Sequence, residues 1–167
     1  MNSQPFNILF VCARNSVRSI MAEAILNQVS MGRFHAGSAG FAETGRIDPM
    51  TEEQLRRSRL DVSYLRSKNW REFAGAGAQP LDFVITFDPF IAESIPAWPG
   101  EPVVVFWSID DPAKVEASEE DRRRAFSLCF QLLNRRISLF ASLPLERLEP
   151  GELKRHLEDI GSQPQNT

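Results

Sequence analysis

One short segment constrains this chain more than any other: Ile8-Leu9-Phe10-Val11-Cys12-Ala13-Arg14-Asn15-Ser16-Val17-Arg18-Ser19. An apolar run ends in a cysteine, an arginine follows six positions on, and a helix-forming stretch, Ile20-Met21-Ala22-Glu23-Ala24-Ile25-Leu26, begins directly after Ser19. A Cys-x5-Arg loop between a strand and a helix can form an oxyanion cradle. Its backbone N–H groups, the first helical turn and the guanidinium can converge on one anion. The positive field of such a loop favours a thiolate over a thiol. A nucleophile and a phosphate-shaped pocket would then share one loop. As a bare pattern the same residues also describe a buried structural cysteine followed by an exposed helix arginine. The context separates the two: an apolar strand before, small and polar residues within, a serine and a helix after. Ser19 is placed to hydrogen-bond the sulfur, and Asn15 to accept a left-handed backbone or tie the loop together. The predicted oxyanion contacts come from Ala13, Arg14, Asn15, Ser16, Val17 and Ser19, beside Cys12 and Arg18.

The rest of the chain reads as alternating strands and helices. Apolar runs predict strands over 7–11, 34–40, 81–87 and 102–107, and helical spacing predicts helices over 17–31, 51–58 and 118–142. Thr51 is the expected N-cap of the second helix. Ser118-Glu119-Glu120-Asp121 has the form of a capping box for the third, whose apolar positions are read as Ala125, Leu128, Leu132, Ile137 and Phe140. Residues 143–161 predict a further short helix packed on the domain, and 162–167 a frayed polar tail. This alternation implies an α/β fold with a parallel sheet covered on both faces. Ligands of such sheets sit at the C-terminal ends of strands, at a switch in strand order, where Cys12 falls. The chain is expected to form one domain over residues 1–161.

A second element, Ile109-Asp110-Asp111-Pro112-Ala113, follows the fourth strand. Taken alone, Asp-Pro reads as a turn or a cap. Facing an oxyanion loop, a carboxylic acid there can protonate a leaving oxygen.

Composition excludes several classes. The 167 residues carry a net charge of −3, so no global basic field recruits nucleic acid or an anionic membrane. No apolar run approaches a membrane span of about 20 residues. Residues 1–5 lack the features of a signal peptide, so the expected location is the cytoplasm. Two cysteines, Cys12 and Cys129, with His35 and His156 far apart, predict neither a disulfide nor a metal site. Cys129, within Phe126-Ser127-Leu128-Cys129-Phe130, reads as inert core. Trp70, Phe90, Trp98 and Trp107 are candidates to line a substrate cleft, although most aromatics are core.

Cys12 to Ser19, Met21-Ala22-Glu23-Ala24, Ser38-Ala39-Gly40 and Asp110-Asp111-Pro112 together resemble the low-molecular-weight protein tyrosine phosphatase superfamily. Arg66-Ser67-Lys68-Asn69-Trp70 and Trp98-Pro99-Gly100 resemble its arsenate reductase branch most. The resemblance runs over most of residues 6–142. It implies a three-layer sandwich with a four-stranded parallel sheet and helices on both faces. It also implies Cys12 as nucleophile, Arg18 as oxyanion clamp, Asp111 as general acid, and no cofactor. Partners would be a phosphate or arsenate oxyanion and a phosphotyrosine-like substrate.

Departures from the family pattern narrow this. Arg14 stands where glycine is usual, which is costly if the backbone there needs φ > 0; otherwise it adds charge at the pocket mouth. Val17 replaces a second cysteine. The resolving cysteines of thioredoxin-coupled arsenate reductases align with Asp88 and Ile95. Some relatives bind potassium at positions resembling Asn15, Glu23 and Ser38, with a carboxylate where Lys68 stands; Lys68 either replaces the cation or is simply solvated. Three functions follow: a phosphatase working through a phosphocysteine, an arsenate reductase drawing on an external thiol, and a non-catalytic oxyanion-binding module.

Overall fold

The computed structural model describes residues 4–89 and 96–165. Phe90 and Ile95, singled out above, lie outside them. Four strands, β1 (Phe6–Cys12), β2 (Phe34–Gly40), β3 (Phe83–Thr86) and β4 (Val103–Phe106), form one parallel sheet in the order β2-β1-β3-β4. The register pairs Cys12 with Gly40 on one side, and Val11 with Thr86 on the other. β1 therefore lies between β2 and β3, and the chain crosses from one side of it to the other. That reversal opens a crevice at the C-terminal edge, where the backbone leaves β1 at Cys12.

Alternate residues of β1 serve opposite faces. Ile8 and Phe10 join the larger apolar cluster, with Ile20, Met21 and Ile25 of α1 (Arg18–Val29) and Phe126, Leu133, Ile137 and Phe140 of α3 (Glu119–Ala141). Leu55 of α2 (Pro49–Arg57) and Leu157 and Ile160 of α4 (Pro150–Gly161) complete that face. Leu9 and Val11 face a smaller cluster under Trp70, which sits on a short 3₁₀ helix (Trp70–Phe73), with Phe41, Phe73 and Trp98 packed against it. α1 is buried on all sides from Arg18 to Leu26.

Some local readings shift. Asp48, not Thr51, caps α2: its carboxylate accepts the Met50 N–H, and Pro49 takes the first helical position, where a missing N–H does no harm. Thr51 is instead fully buried in the first turn and donates its hydroxyl to the Ser16 carbonyl. Ser118 does cap α3, accepting the Asp121 N–H at 3.1 Å. The buried stripe of α3 runs through Phe126, Cys129, Leu132, Leu133, Arg136, Ile137 and Phe140, which leaves Leu128, one position before Cys129, 58% exposed. The polar tail is docked through residue 165. Arg136 of α3 donates to the Gln163 carbonyl and Arg135 to that of Pro164, and the Gln165 side chain accepts the Asp110 N–H. Two guanidinium groups on α3 thus satisfy carbonyls that a frayed tail would leave to water. Among the described residues no helix is long and apolar enough to cross a membrane.

Candidate functional site

The loop after β1 is turned inside out by its surroundings. The Ala13 carbonyl accepts from Ala42 N–H, that of Arg14 from Thr44 N–H, and that of Ser16 from Asp48 N–H and the Thr51 hydroxyl. These carbonyls are taken up by partners outside the loop. Among the described residues no protein acceptor takes the N–H groups from Arg14 to Arg18. α1 starts there without a side-chain cap or an acidic residue in its first turn, so its positive end stays open to an anion.

Close packing against β2 sets the loop's height. A Cβ on Gly40 would lie 2.6 Å from the Ala13 carbonyl and 3.0 Å from the Asn15 nitrogen, so only glycine fits beneath it. Asn15 supplies the one left-handed residue, at φ 49°, and is fully buried. Its side-chain Oδ1 accepts the Lys68 N–H at 2.8 Å and its Nδ2 donates to Ser19 Oγ at 2.7 Å. Ser19 Oγ lies 2.9 Å from Cys12 Sγ. With Asn15 filling one lone pair of Ser19, the hydroxyl hydrogen is free for the sulfur. Arg14 has no positive φ, so the loop loses nothing to strain there, and its exposed side chain stands at the pocket mouth.

Arg18 is buried and forked between three elements. Nη1 donates to the Phe87 and Ile109 carbonyls at 3.0 and 3.1 Å. Nη2 lies 3.2 Å from both oxygens of Asp88 and 3.9 Å from Asp111 Oδ2. Asp88 Oδ2 also accepts the Ala13 N–H at 2.8 Å. An incoming oxyanion therefore meets an arginine already held by a carboxylate. Asp111 fixes its other oxygen by accepting the Ala113 N–H at 3.0 Å. Cys12, Arg14, Ser16, Val17, Arg18, Asp48, Asp111 and Ala113 line one cavity of about 30 Å³. Of the predicted contact residues, Ala13, Asn15 and Ser19 do not line it. They build its wall from behind.

A second buried network supports the first. Lys68 Nζ donates to Glu23 Oε1 at 3.3 Å, to Ser38 Oγ at 3.4 Å and to the Arg66 carbonyl at 3.0 Å, while Ser38 also donates to Glu23. Burial pushes the Glu23 carboxyl up and the Lys68 ammonium down, against the attraction between them. An ammonium thus occupies the place between Glu23 and Ser38 that the resemblance assigns to potassium, and these residues do not fit a metal cation. The solvated reading of Lys68 fails, since its side chain is 7% exposed.

A comparison with known proteins decides the family. The model of the low molecular weight phosphotyrosine protein phosphatase family matches residues 7–150. The chain belongs to this family. The arsenate reductase of Halalkalibacterium halodurans is 30% identical over 134 residues, 80% of this chain and 94% of that protein. Among solved structures, an arsenate reductase from Archaeoglobus fulgidus superposes with a TM-score of 0.58 at 25% identity, over 78% of this chain and 98% of its own. A low molecular weight protein tyrosine phosphatase from T. tengcongensis gives 0.64 at 23% identity, over 80% and 95%. Proteins named for either activity thus share this fold, and the four-stranded parallel sheet matches the expectation.

Within this family member, three residues escaped the sequence reading as site residues: Asp48, Asp88 and Gly40. Asp88 had a legible signal, because it follows β3, the strand beside β1, and such strand ends converge. Gly40 pairs with Cys12 in the register, which only the fold reveals. The aromatic candidates fare differently. Trp107 is fully buried and donates its indole N–H to the Leu157 carbonyl, and Trp70 packs edge-on to Trp98 in the smaller cluster. None of the three lines the cavity. Cys129 is core, and burial pushes its thiol up to about 12.

Proposed function

We propose that this chain is a cysteine-dependent phosphatase acting on aryl phosphomonoesters such as phosphotyrosine. The observation that carries this reading is the convergence of Cys12, Arg18 and Asp111 on one cavity. The Cys12 sulfur attacks phosphorus, the S–P bond forms and the P–O bond to the leaving group breaks. Asp111 delivers its proton to the departing oxygen. Water then attacks the phosphocysteine, Asp111 takes a proton from it, the S–P bond breaks and phosphate leaves. Loop N–H groups and Arg18 balance charge on the equatorial oxygens, with Asp88 yielding its hold as the oxyanion binds. Hydrolysis needs no second thiol, which agrees with Val17 and Asp88 standing where relatives place cysteines.

A second reading is arsenate reduction, favoured by the arsenate reductases among the relatives and by the lack of an aromatic wall among the described cavity residues. Here the Cys12 sulfur attacks arsenic, an As–O bond breaks with that oxygen leaving as water, and a sulfur–arsenic(V) adduct remains. One external thiol, such as glutathione, mycothiol or a glutaredoxin, attacks Cys12 sulfur, and arsenite leaves with the electron pair. A second thiol then releases the mixed disulfide. Both readings are tested on one preparation, by p-nitrophenyl phosphate hydrolysis and by arsenite formation with each thiol. The phosphatase reading expects hydrolysis that Cys12→Ser abolishes, and undiminished hydrolysis by Cys12→Ser refutes it. Turnover of arsenate alone supports the second reading, and phosphate binding without either turnover leaves a binding module.

A further inference from the structure

The family match ends at residue 150, yet the chain continues through α4 and returns to the site. Trp107, at the end of β4, anchors this return. It donates to the Leu157 carbonyl at 2.9 Å, and a Cβ on Gly161 would collide with its ring. Residues 162–165 then run beside the loop that carries Asp111. Arg136, fully buried, donates Nη1 to the Ser108 carbonyl at 2.9 Å and Nη2 to the Gln163 carbonyl at 2.8 Å. One guanidinium therefore joins the start of the acid loop to the tail. Arg135 holds the Pro164 carbonyl at 3.2 Å, and Gln165 Oε1 accepts the Asp110 N–H at 2.9 Å, one residue before Asp111. On its other flank the acid loop is held by Arg18, through the Ile109 carbonyl.

Packing holds this loop at Ile109 and Pro112, which are buried, but not at Ser108 and Asp110, which are exposed. A solvent-open cavity of about 190 Å³ lies beside it, lined by Pro112, Ala125, Leu128, Cys129, Leu132 and Gln165. The exposed stretch at Ser108 and Asp110 lacks the close contacts that set position in a dense interior. Its polar ties then decide where the carboxylate sits.

We propose that residues 162–165 are a brace for the acid loop, with Gln165 and Arg136 as positioning residues for the Asp111 carboxylate. This rests on the reading of Asp111 as proton donor. The brace acts on the step in which the leaving oxygen takes a proton. It leaves oxyanion binding, which the loop after β1 supplies, unchanged.

The test uses full-length Gln165→Ala, Gln165→Glu and Arg136→Lys. Phenyl phosphate, whose leaving oxygen needs the proton, is compared with p-nitrophenyl phosphate, whose leaving group needs it less. Loss of one hydrogen bond predicts a kcat on phenyl phosphate lowered about three- to tenfold in Gln165→Ala. The fall on p-nitrophenyl phosphate is smaller, and inhibition by inorganic phosphate stays the same. Gln165→Glu, which still accepts the Asp110 N–H, restores most of the rate. Arg136→Lys, which keeps the charge but spans only one carbonyl, falls with Gln165→Ala. Hydrogen exchange quickens in peptides spanning 106–111 while the sheet stays protected. In an Asp111→Asn background, Gln165→Ala adds no further loss. Unchanged exchange in that peptide overturns the brace, as does an unaffected phenyl phosphate rate in Gln165→Ala beside a slow Asp111→Asn. An Asp111→Asn variant as fast as the parent instead refutes the reading of Asp111 itself, so the two failures are separable.

Discussion

Replacing Lys68 by methionine removes the cation that closes the buried network behind the oxyanion loop. Both side chains of the Lys68–Glu23 pair are 7% exposed and their charged atoms lie 3.3 Å apart. At an effective dielectric of about 20, that separation corresponds to roughly 5 kcal/mol of attraction. Desolvation opposes it, as the raised Glu23 and lowered Lys68 proton affinities record. The pair as a whole is thus worth little against an apolar substitute, but breaking one side strands a charge, at a cost of about 3–5 kcal/mol. Lys68→Met leaves Glu23 with only Ser38, and Glu23→Gln leaves an ammonium beside neutral acceptors. Urea unfolding of both single variants and the double should give a coupling of about 3 kcal/mol, with m unchanged. A coupling below about 1 kcal/mol, the level of exposed pairs, would refute the buried-network argument.

The same variant has a signed pH dependence. Glu23 titrates above its ordinary range in the folded chain, so the folded state holds its proton more tightly than the unfolded state. Stability linked to this group is fully present below the unfolded value and is lost as pH rises through the folded one. Without Lys68 to oppose the upward shift, the Lys68→Met penalty should shrink as pH falls from neutrality toward the ordinary glutamate range. A penalty that grows on acidification contradicts this sign.

Other perturbations probe the site directly. Asp111→Asn should lower kcat on phenyl phosphate about 10²-fold or more, with phosphate inhibition retained, measured by steady-state kinetics. Gly40→Ala should drive a methyl group into the Ala13 carbonyl, 2.6 Å away, and weaken phosphate binding more than it lowers the unfolding midpoint of the sheet. Iodoacetamide at neutral pH should label Cys12 alone in the native protein, since burial keeps Cys129 protonated up to about 12; peptide mass spectrometry reads the sites.

The segment from Ile8 to Ser19 was legible because strand, loop and helix are local, and its residue types are chemical rather than merely apolar. Asp-Pro after a strand reads by itself as a turn or cap, and it is the resemblance that singled out Asp111. The parts that were not legible depend on distant pairings. Asp88 reaches Arg18 and Ala13 across 70 and 75 residues, and Gln165 reaches Asp110 across 55. Lys68 read as either surface or substitute cation, and only its burial beside Glu23 decided between them. Arg136 carried a hint. It lies on the stripe of Cys129, Leu133 and Phe140, where a charge needs buried partners, and the tail supplies one.

In the proposed reaction the sulfur of Cys12, seated in this loop, takes a phosphoryl group from an ester and passes it to water. Rapid mixing with p-nitrophenyl phosphate, followed by acid quenching and intact mass measurement, tests it most directly. A burst of p-nitrophenol is expected, with one phosphoryl adduct per chain on Cys12 that accumulates further when Asp111→Asn slows its hydrolysis. Phosphate binding intact, with neither burst nor adduct, would contradict it.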